Sequence, residues 1–126
     1  MTHLKDRTGC NEEKIIAYQL VYKVPIANAV SALRQMKTAE DANKDNPAVL
    51  LMDISHYVDN DILVFTVIEE WKSIEDMFAS GSKPDLQFHF EYMTKLSCVP
   101  LSARILRGPK MDFPLPDFYA YHNNPQ

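Results

Sequence analysis

Residues 61 to 71 read DILVFTVIEEW, and the reading of this stretch decides the fold. From Ile62 to Ile68 the run is almost continuously apolar and rich in β-branched side chains, the composition of a strand covered on both faces. It closes on Glu69, Glu70 and the chain's single tryptophan, Trp71. A buried strand that ends in two carboxylates and an indole marks the edge of a pocket. Glu69 shares strand parity with Trp71 whereas Glu70 points to the opposite face, so one of the two carboxyls is expected to be buried.

Upstream, Val49 to Val58 alternates, with Leu50, Met52, Ile54, His56 and Val58 on one side. The turn Asp59-Asn60-Asp61 leads straight into the opening strand, which predicts an antiparallel hairpin. Lys14 to Val24 is a further strand that puts Ile16, Tyr18, Leu20 and Tyr22 on one face. After Pro25, apolar residues at Ile26, Ala29, Val30, Leu33 and Met36 have the spacing of one helical face, with Arg34, Lys37, Glu40 and Asp41 largely away from it. This helix is expected to stop before Pro47.

Downstream, Ser73 can cap a short helix, with Asp76 as its capping-box acid. Pro84 and Asp85 suit the first turn of a second helix, which carries Leu86, His89, Phe90, Met93 and Leu96 on one stripe. Pro100 to Arg107 supplies a last short strand. The order strand, helix, strand, strand, helix pair, strand specifies an α+β fold: a ferredoxin-like four-stranded antiparallel sheet with helices on one face. The other sheet face still carries apolar residues, and a second subunit is the simplest cover, so a homodimer is expected.

The flanks differ from this domain, which spans residues 14–107. Residues 1–13 form a polar leader, expected to be flexible. Residues 108–126 hold four of the eight prolines together with Phe113, Phe118, Tyr119 and Tyr121. Prolines deny this segment a helix, and its aromatics argue for an extended docked arm over a disordered tail.

The 126 residues fit one domain, and 46% hydrophobic with 24% charged residues is ordinary globular composition. A net charge of -4 with scattered cations argues against nucleic acid as a partner. Cys10 and Cys98 lack any paired spacing, so free thiols in a reducing compartment are expected. No stretch approaches the ~20 apolar residues of a membrane span and the leader has no signal-type apolar core. A soluble cytoplasmic protein with no membrane partner is expected. The sequence also lacks HxxxH or CxxC metal spacing, a GxSxG elbow and a glycine-rich phosphate loop.

The segment VIEEWKSIEDMFAS (67–80), preceded by MDISHYVDNDILVF (52–65), resembles the antibiotic biosynthesis monooxygenase (ABM) family of dimeric α+β barrels over about residues 14 to 107. The resemblance implies a homodimer with sheets facing each other and a pocket between sheet and helices. It implies chemistry on aromatic polyketide-type molecules of secondary metabolism, with no flavin, metal or haem as cofactor. Trp71, Glu69 and His56 match positions where the family often places its tryptophan, its strand acid and a second-strand histidine. Val67 stands where quinone-forming members tend to have Asn, and Ser80 and Asp85 where many members place a helix His and its partner. Haem-degrading relatives use a helix His and a strand Asn where Ser80 and Gln19 stand, so haem cleavage is not implied.

Three residues are candidates for catalysis. His56 faces inward or lies at the strand end as a hydrogen-bonded structural histidine. His89, on the helix stripe facing the sheet, would be desolvated and neutral, either a base or a satisfied core histidine. Glu69 would have a raised pKa if buried alone, or form a structural ion pair with Arg104 or Arg107, the reading we favour from sequence. Candidate substrate contacts are Trp71 as a flat stacking wall, Tyr18 and Tyr22 as hydroxyl donors, and Met52, Phe90 and Met93 as apolar lining, each of which could equally be core.

These residues support three readings. The first is a cofactor-free, monooxygenase-like enzyme acting on an apolar aromatic molecule. The second is a cofactor-free isomerase, cyclase, dehydratase or decarboxylase in the same pocket, and the third is a non-catalytic ligand-binding dimer.

Overall fold

The computed structural model describes residues 2–4, 9–81 and 83–108. The expected arm therefore lies outside the described residues, apart from Gly108. The chain runs through β1 (Thr2–Leu4), β2 (Ile16–Pro25), a 3-10 turn (Ile26–Asn28), α1 (Ala29–Asn43), β3 (Val49–Asp59), β4 (Ile62–Trp71), α2 (Ile74–Gly81), α3 (Pro84–Leu96) and β5 (Ser102–Arg107).

The sheet order is β1-β3-β4-β2-β5, and every neighbouring pair is antiparallel. The four predicted strands form the ferredoxin-like order β3-β4-β2-β5. Thr2–Leu4, inside the polar leader, adds a fifth strand against Leu51–Asp53 of β3. The β3–β4 hairpin closes on Asn60 and Asp61, whose φ angles of 49° and 65° are those of a tight turn matched to strand twist.

Alternation puts Ile16, Tyr18, Leu20, Tyr22 and Val24 of β2 beside Leu63, Phe65, Val67 and Trp71 of β4, none more than 3% exposed. Fully burying one such side chain stabilises a fold by roughly 1.5–3 kcal/mol, so this double row on the two central strands is the main source of cohesion. Phe90 and Met93 of α3 and Ala32 and Met36 of α1 close over it. α2 is capped as predicted: the Ser73 hydroxyl accepts from the Asp76 N–H at 3.1 Å and donates to the Asp76 carboxylate at 2.9 Å.

The face of α1 differs from the sequence expectation. Its buried residues are Ala32, Met36, Ala39, Glu40 and Asn43, whereas Val30 is 62% exposed and Leu33 and Ile26 also face solvent. The stripe turned to the sheet is thus built mostly of small side chains, which leaves space between helix and sheet. Glu40, expected on the outer face, is buried and lies 3.5 Å from the Lys37 ammonium.

Candidate active site

The helix-facing row of β4 is apolar except at Glu69. Its register partner on β2 is Tyr18, and its partner on β3 is Met52. Pairing fixes the chemistry: the Tyr18 hydroxyl donates to Glu69 Oε2 at 3.2 Å and accepts from the Trp71 indole N–H at 2.9 Å. The chain indole to phenol to carboxyl is polarised in one direction, and each bond reinforces the next in a low-dielectric interior.

Burial disfavours the charged carboxylate, and this outweighs the opposing effect of the Tyr18 hydrogen bond, so the Glu69 pKa is raised from 4.5 to about 7. A carboxyl so placed can both give and take a proton at neutral pH. Its partner is a phenol and not the guanidinium favoured from sequence. Arg104 donates to the Gln19 side chain at 3.2 Å and Arg107 to Glu12 at 2.8 Å. Glu70 is also buried, on the opposite sheet face.

Above Glu69 lies a small chamber lined by Tyr18, Tyr22, Met52, Trp71, His89 and Phe90, among others. It holds about 20 Å³ of space open to the centre of a water molecule. Tyr22 lines this chamber, and its buried hydroxyl has no hydrogen-bond partner among the described residues. Burial, with the Glu69 charge second, pushes its pKa far up, so it remains a neutral O–H donor. Met93 is fully buried in the core and does not line the chamber.

His89 is 7% exposed, and burial lowers its pKa from 6.5 to about 4, so the ring is neutral at pH 7. Gln35 of α1 donates from Nε2 to His89 Nδ1 at 2.9 Å, which places the ring proton on Nε2. In this orientation His89 is a hydrogen-bond donor. Turning the Gln35 amide over would present its oxygen, move the proton to Nδ1 and make Nε2 basic.

His56 is not brought to this site. It stands opposite Phe65 on β4, as Tyr22 does on the other side, but unlike Tyr22 it does not line the chamber. It is exposed, packs against the Phe65 ring at 5.7 Å between centroids, and lines a separate shallow hollow with Leu33, Lys37 and Glu40.

A larger cleft of about 390 Å³ lies between α1 and the start of α3. Gln35, Thr38, Asn46, Ser80 and Lys83 line it, and Ala39, Asn43, Leu86 and His89 line both cleft and chamber. Ser80 and Asp85 lie in this cleft, and Asn46 donates to the Ser80 hydroxyl at 3.4 Å. Sequence reasoning missed Gln35 and Asn43. Their signal was a small polar stripe at helical spacing, 35, 39, 42, 43 and 46, hidden beside larger aliphatic residues.

No family model matches the sequence, and no curated protein does. Solved structures do. A "putative antibiotic biosynthesis monooxygenase" from Caulobacter crescentus CB15 superposes with a TM-score of 0.67 at 15% identity, covering 78% of this chain and 92% of that one. A protein of the same description from Nitrosomonas europaea gives 0.67 at 14% identity, over 76% and 91% of the two chains. The chain has the ABM fold. A mutant of SnoaB, a cofactor-independent oxygenase from Streptomyces nogalater, shares it with a TM-score of 0.62 at 12% identity, over 79% of this chain and 97% of that one. Among the described residues, no helix of this ABM-fold chain is long and apolar enough to cross a membrane.

Proposed function

We propose that this chain is a cofactor-free enzyme of the cytoplasm that oxygenates an aromatic, polyketide-type small molecule, with Glu69 as its proton-transfer group. The observation that carries the reading is a buried carboxyl of pKa about 7 on the same chamber as Tyr22, whose hydroxyl lacks a partner among the described residues. SnoaB, a cofactor-independent oxygenase of the same fold, supports the reaction class.

Ionised Glu69 takes the O–H proton of a hydroquinone-like substrate or of the enol form of an anthrone-like one, leaving an anion with carbanion character at the opposite ring carbon. Tyr22 O–H and His89 Nε2–H donate to the oxygen on which charge develops, the kind of preorganised donation that stabilises an oxyanion. For an anthrone, the resulting carbanion gives its electrons to O₂, and carbon and oxygen join to form a peroxide anion that takes a proton. Loss of the second C–H proton then forms the carbonyl, breaks the O–O bond and releases one water. O₂ is the oxidant, and the substrate carbon is oxidised from CH₂ to C=O.

Because Glu69 acts in its ionised form, kcat/KM should rise with pH through about 7. Oxygen uptake with anthrone or a hydroquinone tests the reading, and Glu69→Gln should slow it by roughly 10²- to 10⁴-fold. Absence of oxygen uptake, or full activity in the variant, would overturn it. The same carboxyl and phenols can move protons without oxygen, which favours an isomerase or cyclase as the second reading. Turnover that persists under argon would select that one. The reading includes a homodimer formed through the sheet face away from the helices, where Val21, Ile68 and Leu51 remain half-exposed. Light scattering of the purified protein would give the mass of one chain or two.

A further inference from the structure

The chamber and the proposed substrate do not match in size. A buried water needs roughly 10–15 Å³ by the measure that gives this chamber about 20 Å³. The chamber therefore admits about one non-hydrogen atom, not a ring. The adjoining cleft, at about 390 Å³, is within the ordinary range of small-molecule sites, about 300–1,000 Å³. The two spaces share Ala39, Asn43, Leu86 and His89 as lining, so these side chains stand between them.

We infer that the body of the ligand, a fused-ring aromatic with oxygen substituents on its rim, lies in the cleft between α1 and α3, and that a single ring oxygen passes between these shared side chains to reach Tyr22. This inference rests on the small-molecule reading of the site above, and places the rings outside the sheet–helix interior.

The cleft has the chemistry for such a body. Ala42, Leu86 and Phe88 give apolar surface for a flat ring system. Gln35, Asn46, Thr38 and Ser80 give amide and hydroxyl partners for oxygens at the rim, and Lys83 and Asp85 add a donor and an acceptor of opposite charge, suited to neutral phenol and carbonyl groups. At the inner end, the buried Tyr22 hydroxyl lacks a partner among the described residues, and a carbonyl or phenolate oxygen is the acceptor it needs. His89 and Asn43 flank the route and are both buried, so an oxygen is the part of an aromatic ligand best suited to pass.

The test fills the cleft from outside. Ala42 and Thr38 are exposed positions on α1 that line the cleft and not the chamber. Ala42→Phe and, one turn earlier, Thr38→Phe should each keep the circular dichroism and melting behaviour of the parent. Binding of 1,8-dihydroxyanthraquinone, followed by its own visible absorbance, should weaken tenfold or more in both. Tyr22→Phe should weaken it less, through loss of one hydrogen bond. Anthrone oxidation that continues in both cleft variants with unchanged KM would overturn the inference and leave the proposed reaction standing. Anthraquinone binding that both variants weaken, in a protein that consumes no oxygen, would support the inference and sink the reaction. A wild-type protein that does not bind the anthraquinone would overturn the inference whatever its turnover.

Discussion

Replacing Glu69 by Gln keeps the shape of the side chain and removes its charge, and the effect on stability should depend on pH in a defined way. In the folded chain the carboxyl is held at about 7 against an ordinary 4.5. Between those values the unfolded chain has released its proton and the folded chain still holds it. Stability therefore falls as pH rises, by about 1.4 kcal/mol per pH unit and about 3 kcal/mol across the whole interval. Above pH 7 the loss is complete and constant.

His89 works in the opposite sense. Its folded value of about 4 lies below the ordinary 6.5, so in that window the unfolded chain binds a proton that the folded chain does not. Its contribution rises with pH by a similar amount, about 3 kcal/mol, and is full above 6.5. Between roughly pH 4.5 and 6.5 the two slopes oppose each other, and these groups together leave the wild-type curve nearly flat. Glu69→Gln removes one slope and exposes the other. Any fixed cost of burying the new amide shifts the whole curve and drops out of its pH dependence. Urea unfolding of both proteins at half-unit steps from pH 4 to 8 measures this. The stability of the variant relative to wild type should increase by about 3 kcal/mol between pH 4.5 and 7.5. A relative stability constant to within about 0.5 kcal/mol, the scale of an ordinary surface substitution, would refute the claim that this carboxyl is desolvated.

Other expectations concern single positions. Tyr22→Phe removes a buried hydroxyl with no partner among the described residues, so thermal melting should show a gain of up to roughly 1–3 kcal/mol while oxygen uptake falls. Asp61→Gly relieves a left-handed backbone with φ of 65° at the hairpin turn, and urea midpoints should rise by the equivalent of about 1 kcal/mol. Gly108 has φ of 140°, and a Cβ there would come within 3.0 Å of the Ile16 backbone. Gly108→Ala should therefore lower the melting temperature, through a loss of roughly 1–3 kcal/mol.

What the sequence revealed follows from which periodicities are rigid. Strand side chains alternate strictly, so Tyr18 was grouped with Tyr22, and Glu69 with Trp71, from alternation alone, while which carboxyl was buried stayed open. The hairpin was legible because an alternating strand before Asp59-Asn60-Asp61 and an apolar, β-branched run after it leave few alternatives. Helix α1 was harder. Val30 and Leu33 outweigh Ala32, Ala39 and Asn43 in any apolar count, yet the smaller residues face the sheet because that side borders the chamber. Strand adjacency was legible only as a fold type, and the partner of Glu69 depended on its register. Tyr18 stands directly opposite it on β2, whereas Arg104 pairs with Gln19 and so lies on the other sheet face. Thr2–Leu4 gave no strand signal, because three residues are too few to show a period. His56 was assigned the right strand and a plausible face, but its exposed ring lines the hollow with Leu33, Lys37 and Glu40 and not the chamber.

The position of β2 between β4 and β5 has a consequence for how the protein reaches its native state. The β3–β4 hairpin can close locally and carries Glu69 and Trp71 with it. Tyr18 and Tyr22 join only when β2 inserts between β4 and β5, contacts that span 51 residues for Tyr18 with Glu69 and 85 for Gln19 with Arg104. Closing loops of that length costs chain entropy before any contact offsets it, which makes such pairings slow. The desolvation of Glu69 requires β2 in place against β4, so recovery of its raised pKa during refolding should follow the docking of β2.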